Sequence, residues 1–426
     1  MNILLINHYA GSPTHGMEYR PYYFAREWTR LGHNVTVVAA SRSHLRVVNP
    51  ECRGISRCEV IEGIRYIWFW TPRYTGNGID RVVNIGVFVL QLLLHRGFLA
   101  KACKDGAVIA SSTYPLDVVA ASAIAKRANA SFTYEVHDLW PLSPIELGGM
   151  SPRHPFIQVM QWAEDSAYHR VNHVISMLPS AESHMCTHGL APGKFHYVPN
   201  GIDPTEWGET AAALPEPHRS LLSRLRSENR FIIGYAGAHG VANALESIVR
   251  AAGLLVDSPV TFVLVGQGPE KHNLQVLAAK LGVENVVFLL PVPKVAIPPL
   301  LSEMDCLIIA LQRTSLFRFG ISPNKLMDYM MAGRPIIQAI DATNDLVTEC
   351  GCGFSVPPED PVSITKAVLQ MMNLTPVQRD EMGRCGRRYV EANHDRRKLA
   401  AQFLEIICCG QTGPSRNIEA SLYPSK

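Results

Sequence analysis

Several signatures that would commit a chain to a class are missing from these 426 residues. Ten cysteines occur, at 52, 58, 103, 186, 306, 350, 352, 385, 408 and 409, yet they form no Cys-x-x-Cys pair and no histidine cluster has zinc spacing. That argues against a metal centre or a disulfide framework and leaves the reduced thiols of a cytoplasm as the default. Charge is sparse: 18% of residues are charged, the formal balance is only +3, and no long basic run appears, so nucleic acid is not an expected partner. No apolar run reaches the ~20 residues needed to span a bilayer. The start, Met-Asn-Ile-Leu-Leu-Ile-Asn-His, lacks the basic opening and long apolar core of a signal peptide and begins a strand instead. A Gly-x-Gly-x-x-Gly fingerprint is missing as well. The first glycine loop holds only Gly11 and Gly16, five apart, which lowers the case for a dehydrogenase.

With 47% hydrophobic residues, the chain is long enough for two domains with separate cores. Short apolar runs at 3–6, 34–40, 64–70, 107–110 and 131–135 alternate with helix-length segments at 17–31, 81–100 and 116–128. Such alternation predicts parallel strands with crossover helices, an α/β doubly wound sheet whose ligands bind beyond the carboxyl ends of its strands. The pattern completes at 195–198, turns through Pro199-Asn-Gly-Ile-Asp203, loses its period from 204 to 229, and restarts at Phe231. Predicted domains are therefore 1–203 and 230–393, with a linker at 204–229 and a returning helix and mobile tail over 394–426. The most hydrophobic segment, 82–94, is flanked by Arg81, His95, Arg96, Lys101 and Lys104. It is open to two readings, a buried core helix or a peripheral membrane contact over 81–104.

Loops after strands hold the candidate site residues. In the first, Gly11, Gly16, Met17, Glu18 and Arg20 lead into a helix. Glu18 and Arg20 either solvate the helix start or meet a bound anion. Strand 131–135 runs into Val-His137-Asp138-Leu-Trp-Pro141, which sets His137 at a strand end between Glu135 and Asp138, where a carboxylate can fix its tautomer. The restart, Phe231-Ile-Ile-Gly-Tyr-Ala-Gly237-Ala-His239-Gly, repeats the strand-to-glycine-turn pattern, and Gly266 and Leu290 end two further strands.

The densest stretch is Arg318-Phe-Gly-Ile-Ser-Pro-Asn-Lys-Leu-Met-Asp-Tyr-Met-Met-Ala-Gly-Arg-Pro335. Ser322 is placed to cap a helix with Pro323 first in it, and Gly333 and Pro335 stop it. Free N–H groups of Asn324 and Lys325 at a positive helix end attract phosphate, while Lys325 and Asp328, three apart, share one face. A nucleotide sugar offers both a diphosphate and hydroxyls.

Ser-Pro-Asn-Lys-Leu-Met-Asp-Tyr-Met-Met-Ala-Gly-Arg-Pro and Glu-Val-His-Asp-Leu-Trp-Pro resemble segments of the retaining GT-B glycosyltransferases, group 1 or family 4, in the branch that builds bacterial surface polysaccharides and includes L-fucosamine-type transferases. The resemblance implies two facing Rossmann-like domains with an interdomain cleft. It also implies transfer from a nucleotide-diphosphate sugar, most simply a UDP-sugar, to a lipid-linked saccharide, with retention. His137, Asp138 and Asp328 would be the catalytic set. Gly237, His239, Gly266, Leu290, Arg318, Ser322, Asn324, Lys325 and Asp328 would hold the donor, and Gly11 to Arg20 the acceptor and phosphates. Without a paired carboxylate for double displacement, the leaving diphosphate would take the acceptor proton. No metal or cofactor is implied, because lysine and the helix dipole supply positive field. Two departures stand out. Relatives carry two acids eight positions apart, where this chain has Gly320 and Asp328, and they carry an Arg and a Lys near residues 238–244, where this chain has Ala238, His239, Asn243 and Ala244. Alternatives are a nucleotide-sugar epimerase with the same cradle, or a nucleotide-sugar-binding subunit without turnover.

Overall fold

The computed structural model describes residues 1–16, 19–76, 78–208 and 213–408. Met17, Glu18 and most of the tail lie outside them. Two sheets carry the molecule. The first contains β1 (Asn2–Ile6), β2 (Asn34–Ala40), β3 (Ser56–Ile61), β4 (Ile64–Phe69), β5 (Ala107–Ala110), β6 (Ser131–Val136), β7 (His173–Ser176) and β8 (Phe195–Tyr197), in the order β3-β4-β2-β1-β5-β6-β7-β8. The second contains β9 (Phe231–Ala236), β10 (Val260–Val265), β11 (Val286–Leu289), β12 (Cys306–Ala310), β13 (Ile336–Ala339) and β14 (Gly353–Val356), in the order β11-β10-β9-β12-β13-β14. Every pairing is parallel except that of β3 with β4. This is the doubly wound architecture expected from the alternating runs, built twice.

The central strands are buried on both faces because helices cover each side, which is why they are continuous Ile/Val/Leu runs rather than alternating ones. Strand order reverses between β1 and β5 in one sheet and between β9 and β12 in the other. Crevices at such switch points take ligands. The residues just beyond them are Asn7 and Ser111 on one side and Gly237 and Leu311 on the other.

Three local expectations are corrected. The stretch 204–229 is not featureless. It carries a 3-10 turn, Pro204–Trp207, and the helix Glu216–Ser227, whose buried His218, Leu222 and Leu225 form a stripe at helical spacing that the surrounding Arg and Ser obscure. The segment 81–100 is two helices, Ile79–Leu94 and Arg96–Ala102, bent by 68° where the His95 imidazole bonds the Gln91 carbonyl at 2.9 Å. Strand β3 was not foreseen. It is an exposed edge paired to β4 through a hairpin turn at Glu62 and Gly63, both with positive φ, so no apolar period marks it.

The helix Ile79–Leu94 has one buried and one exposed apolar face. Asn84, Ile85, Phe88, Val89 and Leu92 are buried, while Ile79, Val82, Val83, Leu90 and Leu94 are exposed along the opposite face. Among the described residues no single helix is long and apolar enough to cross a membrane; the bent pair passes that test by length and composition only.

The last helix, Arg396–Cys408, returns to the first sheet. Phe403 packs edge-on against Phe24 and Trp28, with ring centroids 5.4 and 5.0 Å apart, and the Trp28 indole donates to the Ala400 carbonyl at 3.0 Å. Phe403→Ala is expected to cost about 3–5 kcal/mol, seen as a lowered urea midpoint, because the cavity opens between two rigid helices. A midpoint equal to wild type would show that this helix contributes nothing there.

Candidate functional site between the two sheets

The first half of the site is a buried polar network at the ends of β5 and β6. Glu135 is fully buried, and Arg20 donates to its Oε1 at 2.9 Å. The Ser111 hydroxyl donates to Glu135 Oε2 at 2.6 Å, which leaves the serine oxygen to accept from His137 Nε2 at 2.9 Å. His137 Nε2 is also 3.4 Å from Glu135 Oε2. The arrangement therefore keeps a proton on Nε2 and fixes the ring plane. Burial alone would raise the Glu135 carboxyl, but Arg20, His137 and Ser111 together hold it down at about 2. Ser111 carries no sequence signal, since it reaches the histidine only through strand adjacency.

Arg20 has its donors committed within the protein. It is buried and spends its donors on Glu135, on the Val198 and Pro199 carbonyls at 2.8 and 2.7 Å, and on Asn200 Oδ1 at 3.2 Å. Gly11 and Gly16 are likewise internal. The Gly11 carbonyl accepts from Tyr66, and Gly16, at φ +85°, closes a turn against Val47.

The second half of the site is the helix Asn324–Met331. Pro323 sits at its cap, and Ser322 does not cap it: the serine hydroxyl and carbonyl accept from Asn200 N and Nδ2 at 2.8 and 2.6 Å, tying the two sheets together. Proline in the cap position leaves the first N–H groups of the helix uncapped by a side chain. Lys325 folds back to Tyr235, 3.0 Å from its hydroxyl, and to Asn243. It thereby occupies the turn after β9, where the resembling family has its own cations. Burial pushes the Lys325 ammonium down to about 8, so it stays charged at neutral pH.

Two side chains expected at the anion are engaged or buried elsewhere. Arg318 pairs with Glu146 through two bonds of 2.7 and 2.9 Å, so its guanidinium is committed across the cleft. His239 is fully buried beneath the Gly266 and Gly268 turns, and burial, with Lys271 and Lys325 nearby, pushes it down to about 4. It is a neutral imidazole at pH 7, not a counter-charge, although neither ring nitrogen has a partner. Lys271 was missed. It is buried and donates only to the Gly266 and Leu289 carbonyls, both at 2.8 Å. The Leu290 carbonyl is already engaged by His218 Nε2 at 2.8 Å, which weakens its assignment as a base reader. Gly237 lies against Tyr235 and Lys325, and Gly266 stands where a Cβ would fall 1.9 Å from the Gly237 carbonyl.

The absent first acid has a steric explanation. Gly320 has φ +92°, and a Cβ there would lie 2.5 Å from Pro179 of the facing sheet. No carboxylate can stand at that position without parting the domains.

His137 and Asp328, expected in one catalytic set, line separate cavities. His137 and Asp138 line a cavity of about 270 Å³ with Gly320, Ser322 and Pro323. Asp328 lines another, of about 200 Å³, with Tyr19, Tyr23, Asn324, Lys294 and Arg396. The Asn200–Ser322 contact stands at the same helix start. Burial pushes the Asp328 carboxyl up to about 6 against the opposing pull of Lys294 and Arg396.

Comparison with known proteins gives a consistent picture. Residues 15–201 match the model of the glycosyl transferase 4-like domain and residues 230–373 that of glycosyl transferases group 1. The putative colanic acid biosynthesis glycosyl transferase WcaI of Escherichia coli K12 is 23% identical over 391 residues, covering 89% of this chain and 93% of the relative. The probable glycosyltransferase WbjE of Pseudomonas aeruginosa is 20% identical, covering 78% and 82%. Among solved structures, HepE of Anabaena in complex with UDP-glucose superimposes with a TM-score of 0.66 at 14% identity, covering 96% and 99%.

The ionised Glu135 contributes stability that is complete above the ordinary carboxyl value of 4.5 and is lost as pH falls towards about 2. Glu135→Gln is therefore expected to be less stable than wild type at pH 7, with the deficit shrinking between pH 4.5 and 2.5. Urea midpoints across that window check this; a constant deficit would contradict the assignment.

Proposed function

We propose that this chain, which belongs to the group 1 glycosyltransferases, transfers a sugar with retention from a nucleotide-diphosphate donor, most simply a UDP-sugar, to a lipid-linked saccharide in surface polysaccharide synthesis. The observation that carries the reading is the site of Lys325, a buried ammonium at an uncapped helix start, held by Tyr235 and Asn243 beside Gly237. Such a point attracts a diphosphate and stabilises the charge that grows on it as the glycosidic bond breaks. Lysine and helix dipole do this without a metal ion. Retention follows if the departing diphosphate accepts the acceptor proton on the face it leaves, and no carboxylate can stand at Gly320 to act as nucleophile.

The two openings divide the donor. With the diphosphate at the start of Asn324–Met331, the sugar lies in the cavity of His137 and Asp138, where the oriented imidazole meets its hydroxyls. The nucleoside end lies towards Asp328, whose carboxylate accepts hydroxyl protons of the ribose. The relatives' roles in colanic acid synthesis and glycosyl transfer support the polysaccharide context.

The lipid-linked acceptor implies work at the cytoplasmic face of a membrane. The exposed stripe of Ile79, Val82, Val83, Leu90 and Leu94, with exposed Arg96, Lys101 and Lys104 beyond it, has the makeup of an interfacial anchor.

Thermal shift with UDP and with UDP-sugars tests the division of roles. Lys325→Ala should abolish the shift by both. Asp328→Asn should weaken UDP and UDP-sugar alike, by about tenfold, and His137→Ala should spare UDP while removing turnover. Equal loss of UDP binding in His137→Ala, or epimerisation of donor without acceptor, would overturn the reading. Separately, flotation with anionic liposomes should be lost when Leu90 and Leu94 are changed to Glu or when Arg96 and Lys101 are reversed in charge; unchanged flotation would remove the membrane face.

A further inference from the structure

We propose that Glu164, Asp165 and His188 form a binding site for one divalent transition-metal ion of the zinc or manganese class, outside the cleft, where the helices Pro155–Arg170 and Glu182–Thr187 meet. One ligand atom from each of the three lies within 4.8 Å of the other two. They also share a focus. The side-chain nitrogen of Gln161 stands 2.9 Å from Glu164 Oε2, 2.7 Å from Asp165 Oδ1 and 3.0 Å from His188 Nδ1.

The amide satisfies that point in only one tautomer of His188. With the proton on Nδ1 the imidazole donates to Asp165 Oδ1 at 2.9 Å and the amide serves the two carboxylates; with Nδ1 bare, three acceptors compete for two amide protons. A cation at the focus, with the Gln161 amide swung aside, would take one ligand atom from each of the three residues. Burial points the same way. Glu164 is 1% exposed and, among the described residues, pairs with no Lys or Arg. Its other oxygen accepts from the Tyr168 hydroxyl at 2.9 Å, the kind of outer partner that orients a ligating carboxylate. One turn before His188 stands His184, its ring centroid 4.6 Å from that of His188 and its buried Nε2 without a hydrogen-bond partner among the described residues. Imidazole together with carboxylate suits zinc or manganese better than magnesium or calcium, which take oxygen ligands.

The location gives the ion a role. The His184 ring also lies 5.2 Å from that of Phe319, which projects from the second sheet into the core of the first domain. An ion clamping the two helices would stiffen the seat on which the second domain rests. Glu164 and His188 are 24 positions apart, so the sequence expectation of no metal centre, founded on spacing, could not detect them.

The test uses the full chain, stripped with a chelator and titrated with ZnCl₂, MnCl₂ or MgCl₂ while following melting temperature and, by elemental analysis after desalting, bound metal. One equivalent of zinc or manganese should be retained and Tm should rise by about 2–4 °C, with magnesium silent. Asp165→Asn and His188→Ala should each weaken binding by about 100-fold and remove the rise. Asp165 is 42% exposed, so its variant remains informative should His188→Ala fail to fold. No retained metal in the wild type, or equal retention in Asp165→Asn, would overturn the proposal; sugar transfer is not part of the readout.

Discussion

The buried guanidinium of Arg20 is the contact on which the rest of the cleft depends. One side chain joins the start of the first helix, the end of β6 and the strand exit at Val198 to Asn200. Through Glu135 it sets the charge that orients His137, and through Asn200 it sets the residue that meets Ser322 across the domains. A buried ion pair of this kind is costly to half-dismantle, since removing one partner strands the other without solvent, at about 3–5 kcal/mol. Orientation of the histidine and approach of the second sheet are thus two consequences of the same buried charge.

Four contacts of the second domain with this framework fall in one short stretch of chain. Arg318 with Glu146, Phe319 in the first core, Gly320 against Pro179 and Ser322 with Asn200 follow one another within five residues. The residues that follow, Asn324 to Asp328, are then delivered to the cleft as the first turns of a helix. A segment that might have served as donor machinery throughout is divided by this geometry: its first part fastens the domains and its second part faces ligand space. The loss of an acid at Gly320 belongs to the fastening, because the close approach of Pro179 leaves no room for any side chain.

Charge placement follows the same economy. Tyr235 at the end of β9 and Asn243 in the turn beyond it serve as partners for a lysine arriving from another element. Lys271, beneath the same loop, is held by carbonyls alone. His239, adjacent in sequence to the expected position, is sealed under glycine turns and contributes packing.

Much of this was written in the order of residues. Apolar runs of four to seven separated by helix-length segments determine parallel strands and crossover helices, because only buried strands tolerate such runs, and the strand-end positions of His137 and Gly237 follow from that alone. The Pro323, Gly333 and Pro335 signals fix the short helix and thereby the presentation of Lys325 and Asp328. What distance along the chain cannot encode is which side chains meet: Ser111 behind His137, Glu146 on Arg318, Asn200 on Ser322, and the separation of His137 from Asp328 into two openings. The first was decided by the pairing of β5 with β6 and the rest by the docking of one domain on the other, since partners 26, 172 and 122 residues apart leave no local period, cap or turn residue to announce them.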